Sequence, residues 1–401
     1  MFGIFAIGYH TMNPALEPFT PTFDHALIES TRERLAKTRF PEAETVEDWQ
    51  QGVPLHYCQE LVRYWSEDYD WQRVPNQLSR YENFMTEVDG IGIHCLHVRS
   101  PHSQAQPLVI THGWPGSVLE FLNIIEPLTN PTEYGGTPAD AFHLVIPSLP
   151  GFGFSGKPTA AGCGVERIAA MWDELMLRFG YNTYIAQGGD WGSLVTHALL
   201  LHAGTHCLAG HINLPMVIPD DHTMTSNDPV ERASLLAAMH YQEHESGYSK
   251  QQSTRPQTLA YALADSPVGQ MSWIIEKYAQ WTDCEESGAR HPENAIQRDV
   301  LLDIVTHYWM TNTAGSSARL YWESFNQPDY RPIEAPIGLS LFPKELFLCS
   351  ERLAKTRYPQ LMMFNDAHQR GGHFASLEQP EALVGDIREW HSVLQSSEKA
   401  E

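Results

Sequence analysis

Basic charge is what the 401-residue chain has least of: 26 lysines and arginines stand against 49 aspartates and glutamates, for a formal charge of −23. So acidic a surface disfavours nucleic acid and anionic membrane faces as partners. Cysteine is also sparse. Cys58, Cys95, Cys163, Cys207, Cys284 and Cys349 are scattered without C-x-x-C spacing, which argues against a disulfide framework or a zinc site. They read as reduced, mostly buried thiols of a cytoplasmic protein. Metalloprotease, P-loop and dinucleotide signatures are all missing, and no metal or cofactor is expected. Long apolar runs are missing too. The stretch 2–8 is too short to cross a bilayer and lacks a basic flank and a small-residue cleavage site. Residues 1–17 are therefore expected to be a flexible tail, with no membrane anchor.

What is present suits a globular protein with a sizeable core, since 42% of residues are hydrophobic and 11% aromatic. Residues 18–100 read as an N-terminal extension packing on the core. Asp24 caps a helix carrying Leu27, Ile28 and Leu35, and a second apolar stripe runs through Leu55, Cys58, Leu61, Val62 and Trp65. Tyr64, Trp65, Tyr69 and Trp71 look like a packing seam, and Asp89-Gly90 marks a tight hairpin between strands at 84–88 and 91–98. Over 101–214 short apolar strands (108–111, 144–146) and a further strand candidate around 211–214 alternate with helical spacing (165–179), the pattern of a doubly wound, mostly parallel sheet. Residues 215–335 turn helical, polar and aromatic and read as an inserted cap. Strand signals at 338–341 and 361–364 and a helix at 380–394 then complete the core over 336–401.

One stretch carries chemistry. Ala186-Gln187-Gly188-Gly189-Asp190-Trp191-Gly192-Ser193 follows a strand-like pair, Tyr184 and Ile185, and opens a helix-compatible apolar run, the setting of a nucleophile elbow. Gly188 and Gly192 relieve the crowding of so sharp a turn. The apex is Asp190, where the pattern G-x-S-x-G has serine. An ordinary aspartate has a pKa near ~3.9, so it is ionised at neutral pH and attacks carbon without a base to activate it. That points to an electrophilic sp³ carbon and an alkyl-enzyme ester. Taken alone, the stretch fits a solvated turn equally well.

Further pieces accompany it. His112-Gly113-Trp114-Pro115-Gly116 follows the strand at 108–111, where a loop can aim N–H groups at a developing oxyanion. Gly371-Gly372-His373-Phe374 follows the last strand. Two acids compete to partner His373. Glu345, in Phe342-Pro343-Lys344-Glu345-Leu346, gives the chain order nucleophile, acid, histidine; Asp366 lies in the loop that leads to His373.

In combination these motifs resemble the microsomal-type epoxide hydrolases, over nearly the whole chain, from the helical leader through Pro147-Ser148-Leu149-Pro150-Gly151-Phe152 to Gly371-Gly372-His373-Phe374-Ala375. The resemblance implies an α/β-hydrolase fold with an inserted helical cap and an N-terminal helical and hairpin extension. It implies Asp190 as nucleophile, His373 as base and Glu345 as the acid that orients it. Tyr248 and Tyr321 would hydrogen-bond the epoxide oxygen, and the N–H groups of Trp114 and Trp191 would form the oxyanion hole. The implied partner is a small-molecule epoxide, the product a vicinal diol, the cofactor none; a homodimer is compatible with it. Membrane-bound members carry an N-terminal anchor, so this chain resembles a soluble relative. The rival is a haloalkane dehalogenase, which shares the fold and the Asp nucleophile. Trp191 suits its halide site, but Trp114 stands where an Asn often stands, and the tyrosine pair is present. The other class of rival is a non-catalytic hydrolase-like binding protein, against which the intact set of residues argues.

Overall fold

The computed structural model describes residues 15–325 and 328–398. Its centre is a nine-stranded sheet in the order β1-β2-β3-β5-β4-β6-β7-β10-β11. In chain order these are β1 (Glu17–Pro18), β2 (Asn83–Val88), β3 (Ile91–Val98), β4 (Gln106–Thr111), β5 (Phe142–Pro147), β6 (Tyr184–Gly188), β7 (Cys207–Ile212), β10 (Ile337–Ser340) and β11 (Leu361–Asn365), while β8 (Glu285–Glu286) and β9 (Ala289–Arg290) form a separate small hairpin. The strands up to β3 are antiparallel to their neighbours and the rest are parallel. Leu108, Val109, Ile110, Leu144, Val145 and Ile146 are buried, as the apolar runs demand of strands covered on both faces.

The register decides where the site lies. Going from β4 the chain first turns to one side, to β5, and then to the other, to β6, so β4 and β6 flank a topological switch point. Thr111 pairs with Gly188 at the ends of these strands. The loop carrying Trp114 and the turn carrying Asp190 therefore leave the same sheet edge side by side.

The β2–β3 hairpin turns where the sequence places it: Asp89 (φ 50°) and Gly90 (φ 75°) both have the positive φ of a type I′ turn. The strand expected at 211–214 lies instead at Cys207–Ile212. Gly210 and His211 interrupt its apolar run, and Asn213 has already left the sheet. Of the tail expected over 1–17, residues 1–14 lie outside the described residues, while Glu17 and Pro18 pair with β2.

The leader differs from expectation more. Its hairpin joins the sheet, but its helices α1 (His25–Ala36), α2 (Leu55–Glu67) and α3 (Arg73–Leu78) direct their polar contacts at the inserted segment. The core helices α4 (Leu122–Thr129), α5 (Val165–Arg178) and α6 (Trp191–His202) precede that segment. It comprises α7 (Asp221–Thr225), α8 (Pro229–His240), α9 (Gly247–Thr254), α10 (Pro256–Asp265), α11 (Pro267–Trp281), α12 (Arg298–Thr311) and α13 (Ala314–Ser324). Asp303 of α12 is the anchor. It is 2% exposed and accepts hydrogen bonds from Tyr69 Oη (2.6 Å), Arg73 Nε and Nη2 (3.0 Å each) and Gln77 Nε2 (3.0 Å). A buried carboxylate is tolerable only when so satisfied. Trp65 donates to Thr306 Oγ1 (2.9 Å), and Trp309 donates back to Thr31 Oγ1 (2.7 Å). Most of the aromatic seam read from the sequence thus packs against the insertion, because the Thr306 hydroxyl and the Asp299 and Asp303 carboxylates of α12 accept from Trp65, Tyr64 and Tyr69.

Candidate active site

Asp190 caps α6 at φ 49°, ψ −128°, a conformation that costs a non-glycine residue on the order of 1–3 kcal/mol. The turn is held because nothing bulkier fits around it. A Cβ on Gly188 would lie 2.2 Å from the Gly192 carbonyl, and one on Gly192 would lie 1.9 Å from Thr111 O. Gly113 has the same role in the adjoining loop, where a Cβ would meet Asp190 Oδ1 at 2.1 Å. That close approach lets the Trp114 N–H donate to Asp190 Oδ1 at 2.7 Å. Trp191 is the first residue of α6, so its N–H belongs to the unpaired end of the helix.

His373 faces the same carboxylate, with Nε2 3.3 Å from Asp190 Oδ2 and Nδ1 2.7 Å from Glu345 Oε1. This pairing follows from the sheet. Beyond the neighbouring strands β10 and β11, an isolated parallel bridge joins Lys344 to Gly372, which brings the next residue of each loop, Glu345 and His373, together. Asp366 is exposed at the start of its loop and takes no part. Burial opposes a charge on His373, but the Glu345 and Asp190 carboxylates outweigh it and hold the imidazole well above its ordinary pKa.

The opposite wall comes from the insertion. Tyr248 of α9 and Tyr321 of α13 are buried, with hydroxyls 3.5 Å apart. The Trp114 ring stacks on Tyr248 (5.0 Å between centroids, 9° between planes) and meets the edge of Tyr321, while Trp191 packs edge-on against Tyr321 at 4.7 Å. Burial first, then the neighbouring phenol for Tyr248 and Asp190 for Tyr321, push both hydroxyls well above the usual phenol range. Both therefore stay protonated at neutral pH.

Several residues at the site were not singled out from sequence. Tyr241 puts a third hydroxyl 3.4 Å from that of Tyr248, in a π-helical turn, Tyr241–Glu245, which ordinary helical spacing does not reveal. Lys277 lies over the Tyr248 ring at 4.6 Å, paired with Glu276. Glu120, Gln187 and Asn213 line the site beside Asp190 and His373. Gln187 stands within the elbow stretch itself, and Glu120 is the last residue of a Ser117-x-x-Glu120 capping box.

A mostly parallel sheet, a strained turn after β6, a histidine after the last strand and a helical insertion above them define an α/β-hydrolase, and residues 106–284 match the alpha/beta hydrolase fold family. Residues 16–121 match the family described as Epoxide hydrolase N terminus. The chain is 48% identical over 376 residues to a putative epoxide hydrolase of Stigmatella aurantiaca, an alignment covering 93% of this chain and 84% of that protein. It is 32% identical to epoxide hydrolase 1 of Sus scrofa, covering 95% and 89%. The structure of Aspergillus niger epoxide hydrolase superimposes with a TM-score of 0.84 at 29% identity, covering 95% of this chain and 97% of that one. The chain belongs to the epoxide hydrolase family. Among the described residues no helix is long and apolar enough to cross a membrane.

Proposed function

We infer that this chain adds water to an epoxide to give a vicinal diol, in two half-reactions across the two walls of the site. The observation that carries the reading is the placement of His373 between Asp190 and Glu345, beneath two protonated phenols.

In the first half-reaction an Asp190 oxygen attacks a ring carbon and the C–O bond of the epoxide breaks. Tyr248 and Tyr321 hydrogen-bond the leaving oxygen, and one of them gives it a proton. A phenol, with an unperturbed pKa near ~10, stays a neutral acid at the pH where the carboxylate is a nucleophile. Positioned acids of this kind are worth about 10²- to 10⁴-fold.

Esterification then changes His373. It removes one of the two negative charges that keep the imidazole protonated, so its pKa falls; the imidazolium proton passes to the tyrosinate left by ring opening, and His373 becomes a base held in orientation by Glu345. Water adds to the ester carbon as His373 takes its proton, and the N–H groups of Trp114 and Trp191 stabilise the oxyanion. Collapse breaks the acyl C–O bond, and the proton on His373 goes to the departing alkoxide. Asp190 returns as a carboxylate carrying one oxygen from water, and the second proton of that water passes to His373, restoring the imidazolium of the resting site.

The testing experiment offers the protein aryl and alkyl epoxides beside bromoalkanes. Diol formation without halide release is expected. Halide release without diol would replace the reading with that of a dehalogenase.

A further inference from the structure

Three polar side chains of the core face the reacting pair without a part in the steps above. A cavity of about 20 Å³ is lined by Glu120, Gln187 and Asn213 together with Asp190 and His373. A single water needs roughly 10–15 Å³ by this measure and two to four polar partners. The cavity thus suits one water and is too small for an epoxide, and neither Tyr248 nor Tyr321 lines it.

Its polar lining is built. Gln187 is 1% exposed; its Nε2 donates to Asn213 Oδ1 at 3.1 Å, while its Oε1 is buried with no partner, an acceptor still to be satisfied. Glu120 reaches the site because residue 116 is glycine, where a Cβ would lie 1.2 Å from Glu120 Oε1. That oxygen accepts the Ser117 N–H at 3.0 Å. Burial, opposed by His373 and reinforced by Asp190, raises Glu120 to about 8. At neutral pH it therefore offers both an O–H donor and a carbonyl acceptor.

Building on the Asp190-ester reading, we propose that Glu120, with Gln187 and Asn213, holds the water consumed in the second half-reaction in this cavity, beside His373 and the ester carbon. Glu120 is then a positioning residue for hydrolysis and has no role in ring opening. A helix cap alone would give a different result: losing the Ser117 contact would disturb the 113–121 loop, with the Trp114 N–H, and so slow both steps.

The test mixes excess enzyme with styrene oxide, quenches at intervals, and follows alkyl-enzyme by intact mass and diol by chromatography. Gln187→Met leaves the cap untouched and removes one water partner. It should slow hydrolysis about tenfold, the equivalent of one hydrogen bond, with alkylation unchanged. Glu120→Ala should slow hydrolysis about 10²-fold, whereas Glu120→Gln, which keeps a donor and an acceptor, should stay close to wild type. Equal slowing of both half-reactions, unchanged hydrolysis in Gln187→Met, or Glu120→Gln as slow as Glu120→Ala would each overturn the assignment. A wild type that makes diol without any adduct would remove the ester reading itself, and this assignment with it.

Discussion

Asp190, His373 and Glu345 reach the site from turns just beyond strand ends, whereas Tyr248 and Tyr321 reach it from helices of an insertion that the sheet does not hold. On the sheet side, pairing of Thr111 with Gly188 and of Lys344 with Gly372 sets the positions. Glycines that admit no Cβ lock the turn. On the insertion side, packing does the same work: Tyr248 lies between the Trp114 ring and Lys277, and α12 is gripped by the leader through Asp303. The proposed nucleophile and base are thus placed by backbone register, and the proposed acids by side-chain contacts that span three segments of the chain. Damage on the sheet side should stop covalent chemistry outright, and damage on the other side should weaken protonation by degrees.

Asp190→Ala breaks the comparison most strongly. Diol formation should fall on the order of 10⁶-fold, as for other lost nucleophiles. The fold should survive, because the change removes a turn-apex carboxylate with its contacts to the Trp114 N–H and His373 and no packed apolar surface. Comparable turnover in wild type and variant, measured by chromatography, would exclude the assignment.

The tyrosines come next. Tyr248→Phe or Tyr321→Phe should each raise the barrier to alkylation by about 2–4 kcal/mol, by analogy with losing one oxyanion donor. The double variant should lose far more than either, because the alkoxide then has no donor left. Single-turnover alkylation rates decide this, and a double variant that opens epoxides at near wild-type rate would remove the insertion from the chemistry.

Asp303→Ala is expected to be milder. Stranding Tyr69 and Arg73 should destabilise the protein by about 1–3 kcal/mol, seen as a lower melting temperature. Alkylation should slow while hydrolysis of preformed ester is spared. A variant slowed only in hydrolysis would reverse the division of labour.

The smallest expected effect is with pH. Because Asp190 is neutralised in the ester, His373 loses a partner that raises its pKa. Hydrolysis should therefore fall as acid protonates the imidazole, while alkylation stays flat over the same range. Parallel profiles for the two steps, by quenched flow, would contradict this.

What could be read in advance follows the same division. Asp190, His373 and the Trp114 loop announce themselves because an elbow needs glycines at fixed offsets and parallel strands are short apolar runs. Residue-level reasoning leaves both Glu345 and Asp366 as candidate partners of His373, since it is the Lys344–Gly372 bridge of the fold that brings Glu345 to it. Tyr248 and Tyr321 came from family resemblance alone, as a tyrosine in an aromatic helix has no mark separating site from core. Tyr241 stays hidden because its turn is π-helical, and Lys277 because a single lysine within a helix has no positional mark. The leader's seat on the insertion was hidden because its partners, Thr306 and Asp303, lie more than 200 residues away in sequence.

The central claim, that the sheet side makes and then hydrolyses an ester on Asp190, is tested most directly with His373→Gln. Incubated with styrene oxide, digested and examined by mass spectrometry, it should carry one epoxide mass on the peptide containing Asp190, stable while the wild type has turned over. An inactive variant with no adduct, or with the adduct on any other residue, would contradict the account.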